Sequence, residues 1–132
     1  MLTIKGVIAR GFMYLCRIFP ITNKVVFSSF DGKNFGDDPK AIFDEMIKQG
    51  IETEYIWLLD DIKFDVPENV KLVKAFSILA IYHLATAKVW VDNCRKHAWT
   101  VKRKGQYYIQ TWHGGIGLKA VERQVEDKLS PK

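Results

Sequence analysis

After Pro20 the chain alternates short, nearly continuous apolar runs with helical segments, and this alternation constrains the fold more than any other feature. Residues 24–29 (KVVFSS) and 54–59 (EYIWLL) read as strands buried on both faces. Strands of that kind belong to a parallel sheet wrapped by helices, because an antiparallel sheet with one wet face would alternate apolar and polar residues. Residues 70–73, 89–91 and 107–111 complete five strand candidates. One helix is expected from about Pro39, a residue suited to a first helical turn, to Gly50. Another spans residues 76–86, where Ile78, Leu79, Tyr82 and Ala85 share a face. The fold class expected is α/β, a Rossmann-like parallel sheet over residues 21–132, preceded by an amphipathic helix over residues 1–20.

Charge is distributed unevenly. Residues 1–30 carry four basic residues and no acid, residues 31–87 sum to −5, and residues 88–132 sum to +6, within a net charge of +5. A basic start and a basic end favour anionic partners. With 48% apolar and 27% charged residues the chain is neither disordered nor coiled coil. Two cysteines, Cys16 and Cys94, make no disulfide framework.

On a helical wheel Ile4, Ile8, Phe12, Leu15 and Phe19 fall in one sector and Arg10 and Arg17 lie opposite. Three basic residues interrupt the run, so it falls short of the about 20 apolar residues a membrane span needs, and no signal-peptide cleavage site follows. Two readings fit. The helix lies in the interface of an anionic bilayer, or it packs on the domain's own surface.

Between the last two strands, residues 92–105 carry Arg95, Lys96, His97, Lys102, Arg103 and Lys104 with Trp99, a basic aromatic hairpin able to hold a polyanion or simply a solvated loop. Cys94 and His97 alone do not make a metal site, and no metal or cofactor is expected. Nucleic acid is not an expected partner, since no recognition helix has a clustered basic face. A serine hydrolase is disfavoured because no G-x-S-x-G elbow occurs.

Ligands of an open parallel sheet collect at the carboxyl ends of its strands. Three loops there hold chemistry: residues 30–39 with Asp31 and Asn34, then Asp92 and Asn93, then residues 111–119 with His113, Gly114, Gly115 and Lys119. The two glycines let the backbone turn sharply into a helix start that suits an anion. His113 is either a general base near neutral pH or a structural turn histidine, and Lys119 either meets a phosphate or faces solvent.

The stretches Phe27-Ser28-Ser29-Phe30-Asp31-Gly32-Lys33 with Asn34, Gly36 and Pro39, then Trp90-Val91-Asp92-Asn93, then Tyr108-Ile109-Gln110-Thr111-Trp112-His113-Gly114 with Leu118-Lys119 resemble, in order and spacing, the amino-terminal half of the CDP-glycerol glycerophosphotransferases of teichoic-acid synthesis. The resemblance implies one half of a GT-B-like fold and peripheral attachment to the cytoplasmic face of a cell membrane. It implies transfer of a polyol phosphate from a CDP-glycerol or related CDP-polyol donor to a lipid-linked polyol phosphate acceptor. His113 would be the base that deprotonates the acceptor hydroxyl, with Asp31, Asn34, Asp92, Asn93, Gly114, Gly115 and Lys119 around the substrates. The family often has His-Gly-Thr where this chain has Gly115.

The resemblance also implies that the chain stops about a third of the way into such a protein, lacks the nucleotide-binding half, and is inactive alone. The alternative is a non-catalytic, membrane-attached module that binds an anionic polymer or a partner protein through Arg95, Lys96, Lys102, Arg103 and Lys104.

Overall fold

The structure is a computed structural model that describes residues 2–61 and 63–112. Its elements run α1 (Ile4–Leu15), a 3-10 turn (Cys16–Ile18), β1 (Thr22–Ser28), a second 3-10 turn (Phe30–Gly32), α2 (Asp37–Lys48), β2 (Glu54–Leu59), β3 (Val70–Lys74), α3 (Ile78–Thr86), β4 (Ala87–Asp92) and β5 (Tyr107–Gln110). The described strands form one sheet in the order β3-β2-β1-β4-β5, parallel throughout, with Val26 opposite both Ile56 and Trp90.

The two-residue period of the strands sorts the apolar side chains into two cores. Val25 and Phe27 of β1, Tyr55, Trp57 and Leu59 of β2 and Val91 of β4 pack with Phe43 of α2. Val26, Ile56, Leu58, Val73 and Trp90 point the other way, toward Met13 and Cys16 and toward Ala80 and Leu84 of α3. Helices on both faces are what buried-on-both-sides strands require.

The amino-terminal helix packs one face on the domain's own surface and leaves the other exposed. Met13 and Cys16 are buried and α1 packs against α3, while Ile4, Val7, Ile8, Leu15 and Ile18 stay exposed, Ile4 at 82%. Phe12, expected in the outward sector, instead packs against the core, and Phe19 meets Tyr82 edge-on at 5.4 Å. The wheel carried the helix through Phe19, whereas α1 ends at Leu15 and Phe19 is extended beyond the 3-10 turn. It could not register that the helix is apolar on both sides, so a second apolar stripe through Gly6, Ala9 and Met13 competes for the domain.

The expected hairpin at residues 92–105 is corrected. Tyr107 pairs with Val89 and Gln110 with Asp92 in parallel register, so the segment is a crossover connection. Its polar groups close helix ends. Gln106 Nε2 donates to the carbonyls of Leu84 (2.8 Å) and Ala87 (2.7 Å), and Arg103 Nη1 donates to those of Ala85 (3.1 Å) and Phe19 (2.9 Å). The Leu84, Ala85 and Ala87 carbonyls lie at the helix terminus where α3 runs straight into β4, and the Phe19 carbonyl follows the 3-10 turn after α1.

Candidate functional site

Sheet order reverses between β1 and β4, with α2 on one face and α3 on the other, and in such a sheet ligands collect outside the carboxyl ends of the strands. Backbone strain concentrates at the same edge. Phe30 and Asp31 after β1, Asp37 opening α2, Phe76 after β3 and Trp112 after β5 all have φ between 49° and 62°, a left-handed conformation that non-glycine residues rarely adopt. Each such residue costs of order 1–3 kcal/mol, and such strain persists where surrounding structure holds it, often at functional sites.

Asn93 holds the strained residues Phe30 and Asp37. Fully buried, it accepts the Phe30 N–H at 2.8 Å through Oδ1, and through Nδ2 donates to Asp37 Oδ2 at 2.6 Å and to Ser29 Oγ at 3.3 Å. Gly32 (φ 93°) secures the other side: its carbonyl accepts the Asp60 N–H at 2.8 Å, and a Cβ there would lie 2.8 Å from the Ala75 Cβ. The loop after β1 is thereby tied to the loops after β2, β3 and β4.

Asp92 is buried as well; Oδ1 accepts the Cys94 N–H at 2.9 Å and Oδ2 pairs with Lys96 Nζ at 2.7 Å. The Tyr108 hydroxyl donates to the Cys94 carbonyl at 2.9 Å, and burial together with the Asp92 charge pushes its pKa up. Asp92 and Asn93, expected as substrate contacts, are both buried and make these contacts inside the protein.

Asp31 stands at the rim, with His97 Nε2 3.8 Å from its Oδ1. The His97 ring stacks near Trp99 (centroids 6.2 Å apart, 18° between planes) and takes Phe76 edge-on at 4.9 Å. These side chains, with Ser28, Ala75 and Lys96, line a small pocket of about 30 Å³. Nothing in the sequence marked Phe76, which looked like the first residue of a helix, and His97 was noted for its spacing from Cys94 and as one residue of the basic aromatic segment. Their proximity to Asp31 depends on β1, β3 and the crossover ending at one edge.

Asn34 is exposed, with its side-chain nitrogen 3.1 Å from where a Cβ on Gly36 would lie. The amino terminus of α2 carries Asp37 and Asp38 in its first turn, which oppose the approach of a phosphate to that helix end. His113, Gly114, Gly115 and Lys119 lie outside the described residues. Of the basic residues between β4 and β5, Lys96 is paired with Asp92, Lys102 Nζ donates to the Gln106 carbonyl at 2.9 Å, and Arg103 is directed at helix-end carbonyls. Arg95 is half-buried and Lys104 exposed. Among the described residues no three His, Cys, Asp or Glu side chains gather as metal ligands do.

A parallel sheet in this order, with its switch point between β1 and β4, is a Rossmann-like domain of the kind that forms one half of a GT-B-like enzyme. The sequence profile of the family described as CDP-Glycerol:Poly(glycerophosphate) glycerophosphotransferase matches residues 12–130. The chain belongs to that family. It is 34% identical over 111 residues to a teichoic acid poly(glycerol phosphate) polymerase of Bacillus spizizenii, covering 81% of this chain and 28% of that protein. It is 33% identical over 97 residues to a teichoic acid glycerol-phosphate transferase of Staphylococcus aureus, covering 72% and 25%. Among solved structures it is similar to a variant of the wall teichoic acid polymerase TagF, with a TM-score of 0.76 and 30% identity over 92% of this chain and 31% of that one. TagF structures soaked with CDPG align with a TM-score of 0.71. The chain thus spans less than a third of the length of these relatives.

Proposed function

We propose that this chain is the acceptor-side domain of a polyol-phosphate transferase of teichoic-acid synthesis, taking the polyol phosphate from a CDP-linked donor to a lipid-linked acceptor. The carboxyl edge of the sheet carries this reading: it combines a strained, well-buttressed loop system with a carboxylate and an imidazole at its rim, in a chain of the glycerophosphotransferase family. In the proposed step His113 accepts the proton of the acceptor hydroxyl. The oxygen then attacks the donor's β-phosphorus, a new P–O bond forms, the bond to CMP breaks, and CMP leaves. The acids of the α2 first turn disfavour donor phosphates on this helix, so the donor is assigned to a second domain.

The same proposal places the protein peripherally on the cytoplasmic face of the membrane. The exposed Ile4, Ile8, Leu15 and Ile18, on an amino terminus that has no acid in its first 30 residues, support it. Among the described residues no helix is long and apolar enough to cross a membrane.

The test is CDP-glycerol turnover by the chain alone and by the chain extended with the carboxyl-terminal part of a family member. The extended form should transfer glycerol phosphate and the short form should not. Full turnover by the extended form carrying His113→Ala would refute the assigned base.

A further inference from the structure

We propose that the pocket bounded by Asp31, Phe76, His97 and Trp99 binds the uncharged, hydroxyl-bearing end of a polyol, and does not bind phosphate. This rests on the acceptor-side reading in one respect only, that the polyol is the acceptor's.

The pocket's size, walls and charge each point the same way. Its floor, with about 30 Å³ of room, admits only one or two water-sized groups, which suits a hydroxyl entering beside the Asp31 carboxylate. Its mouth is aromatic. Phe76 is 53% exposed and held in place by a left-handed backbone, a surface on which the C–H face of a polyol can lie. The lining charges disfavour an anion, because the lining lysine, Lys96, already holds the buried Asp92 at 2.7 Å and the lining carboxylate, Asp31, carries the anion's own sign. The His97 ring joins the two halves, 3.8 Å from the Asp31 carboxylate on one side and edge-on to Phe76 on the other. Asp31 and Phe76 reach the pocket from the loops after β1 and β3, each through a strained residue; that cost is retained at both rims of one small cavity.

The experiment uses the full chain and three probes: glycerol, glycerol 3-phosphate and inorganic phosphate. Saturation-transfer NMR reads the protons of the two polyols, and tryptophan fluorescence reads the pocket through Trp99. Phe76→Gly and Asp31→Asn are the informative variants, since glycine and asparagine both tolerate positive φ and neither should disturb the fold. Glycerol and glycerol 3-phosphate should both bind through their carbon-bound protons, with no displacement by inorganic phosphate. Phe76→Gly should weaken binding by roughly tenfold at unchanged thermal stability, the factor expected for loss of one aromatic contact. Absence of glycerol binding to the wild type, displacement by phosphate, or wild-type affinity in both variants would overturn the proposal. Failure of the transfer reading would show separately, as absent turnover in the extended protein, because polyol binding is measured on this chain alone.

Discussion

The side-chain oxygen of Asn93, at the end of β4, accepts the backbone N–H of Phe30, at the end of β1, at 2.8 Å. This bond crosses the switch point of the sheet and anchors the first of two consecutive left-handed residues, Phe30 and Asp31. The carboxylate at the rim therefore owes its position to a buried amide from another strand.

Asn93→Ala should destabilise the protein by roughly 2–4 kcal/mol, because it removes three hydrogen bonds in the interior and leaves the Phe30 N–H without its acceptor. Asn93→Asp should be no rescue, since it replaces the donor to Asp37 with a second carboxylate. Urea unfolding of both variants measures this, and wild-type stability in Asn93→Ala would contradict the account.

Gly32→Ala should cost about 1–3 kcal/mol. The new methyl would lie 2.8 Å from the Ala75 Cβ and 3.1 Å from the Asp60 nitrogen, at a φ of 93° that alanine rarely adopts. Gly50→Ala serves as the comparison: it shares the positive φ but meets nothing within 4 Å, so it should cost less. Thermal denaturation of the pair separates crowding from backbone strain.

A pH dependence should arise far from the site, at the buried contact where Lys24 Nζ donates to His83 Nδ1 at 3.1 Å. Burial, reinforced by the charges of Lys24 and Lys71, lowers the His83 pKa to about 4 from an ordinary 6.5. The folded state thus favours neutral imidazole. The stability associated with that preference is fully present above pH 6.5 and is lost as pH falls toward 4, by roughly 2–3 kcal/mol. His83→Gln should lose less stability than wild type between pH 7 and pH 4; parallel profiles in urea titrations at both pH values would rule this out.

On α1, Ile4→Ser with Ile8→Ser and Leu15→Ser should abolish sedimentation with anionic vesicles while leaving the melting temperature unchanged, because all three side chains are at least 60% exposed. Met13→Ala should do the reverse, costing about 2–5 kcal/mol through a core cavity and leaving vesicle binding to the folded protein intact. Deleting residues 1–19 could not separate these effects, since Met13 and Cys16 belong to the core.

What the amino-acid sequence determined by itself was the layered α/β architecture and the edge of the sheet where a ligand would collect. Hydrophobic period is a local property, and strands such as Tyr55–Leu59, apolar on both faces, have few ways to be buried. The duty of each polar residue was decided only by the tertiary structure. Asp92 and Asn93, expected at the substrates, are buried and bonded inside the protein, Arg103, expected in a polyanion site, donates to the Ala85 and Phe19 carbonyls, and Phe76, which drew no functional expectation, meets His97 beside Asp31. For the polar residues the physical reason is common. A buried polar group must find a hydrogen-bond partner, and here the partner comes from a distant part of the chain, brought near only when the parallel strands assemble.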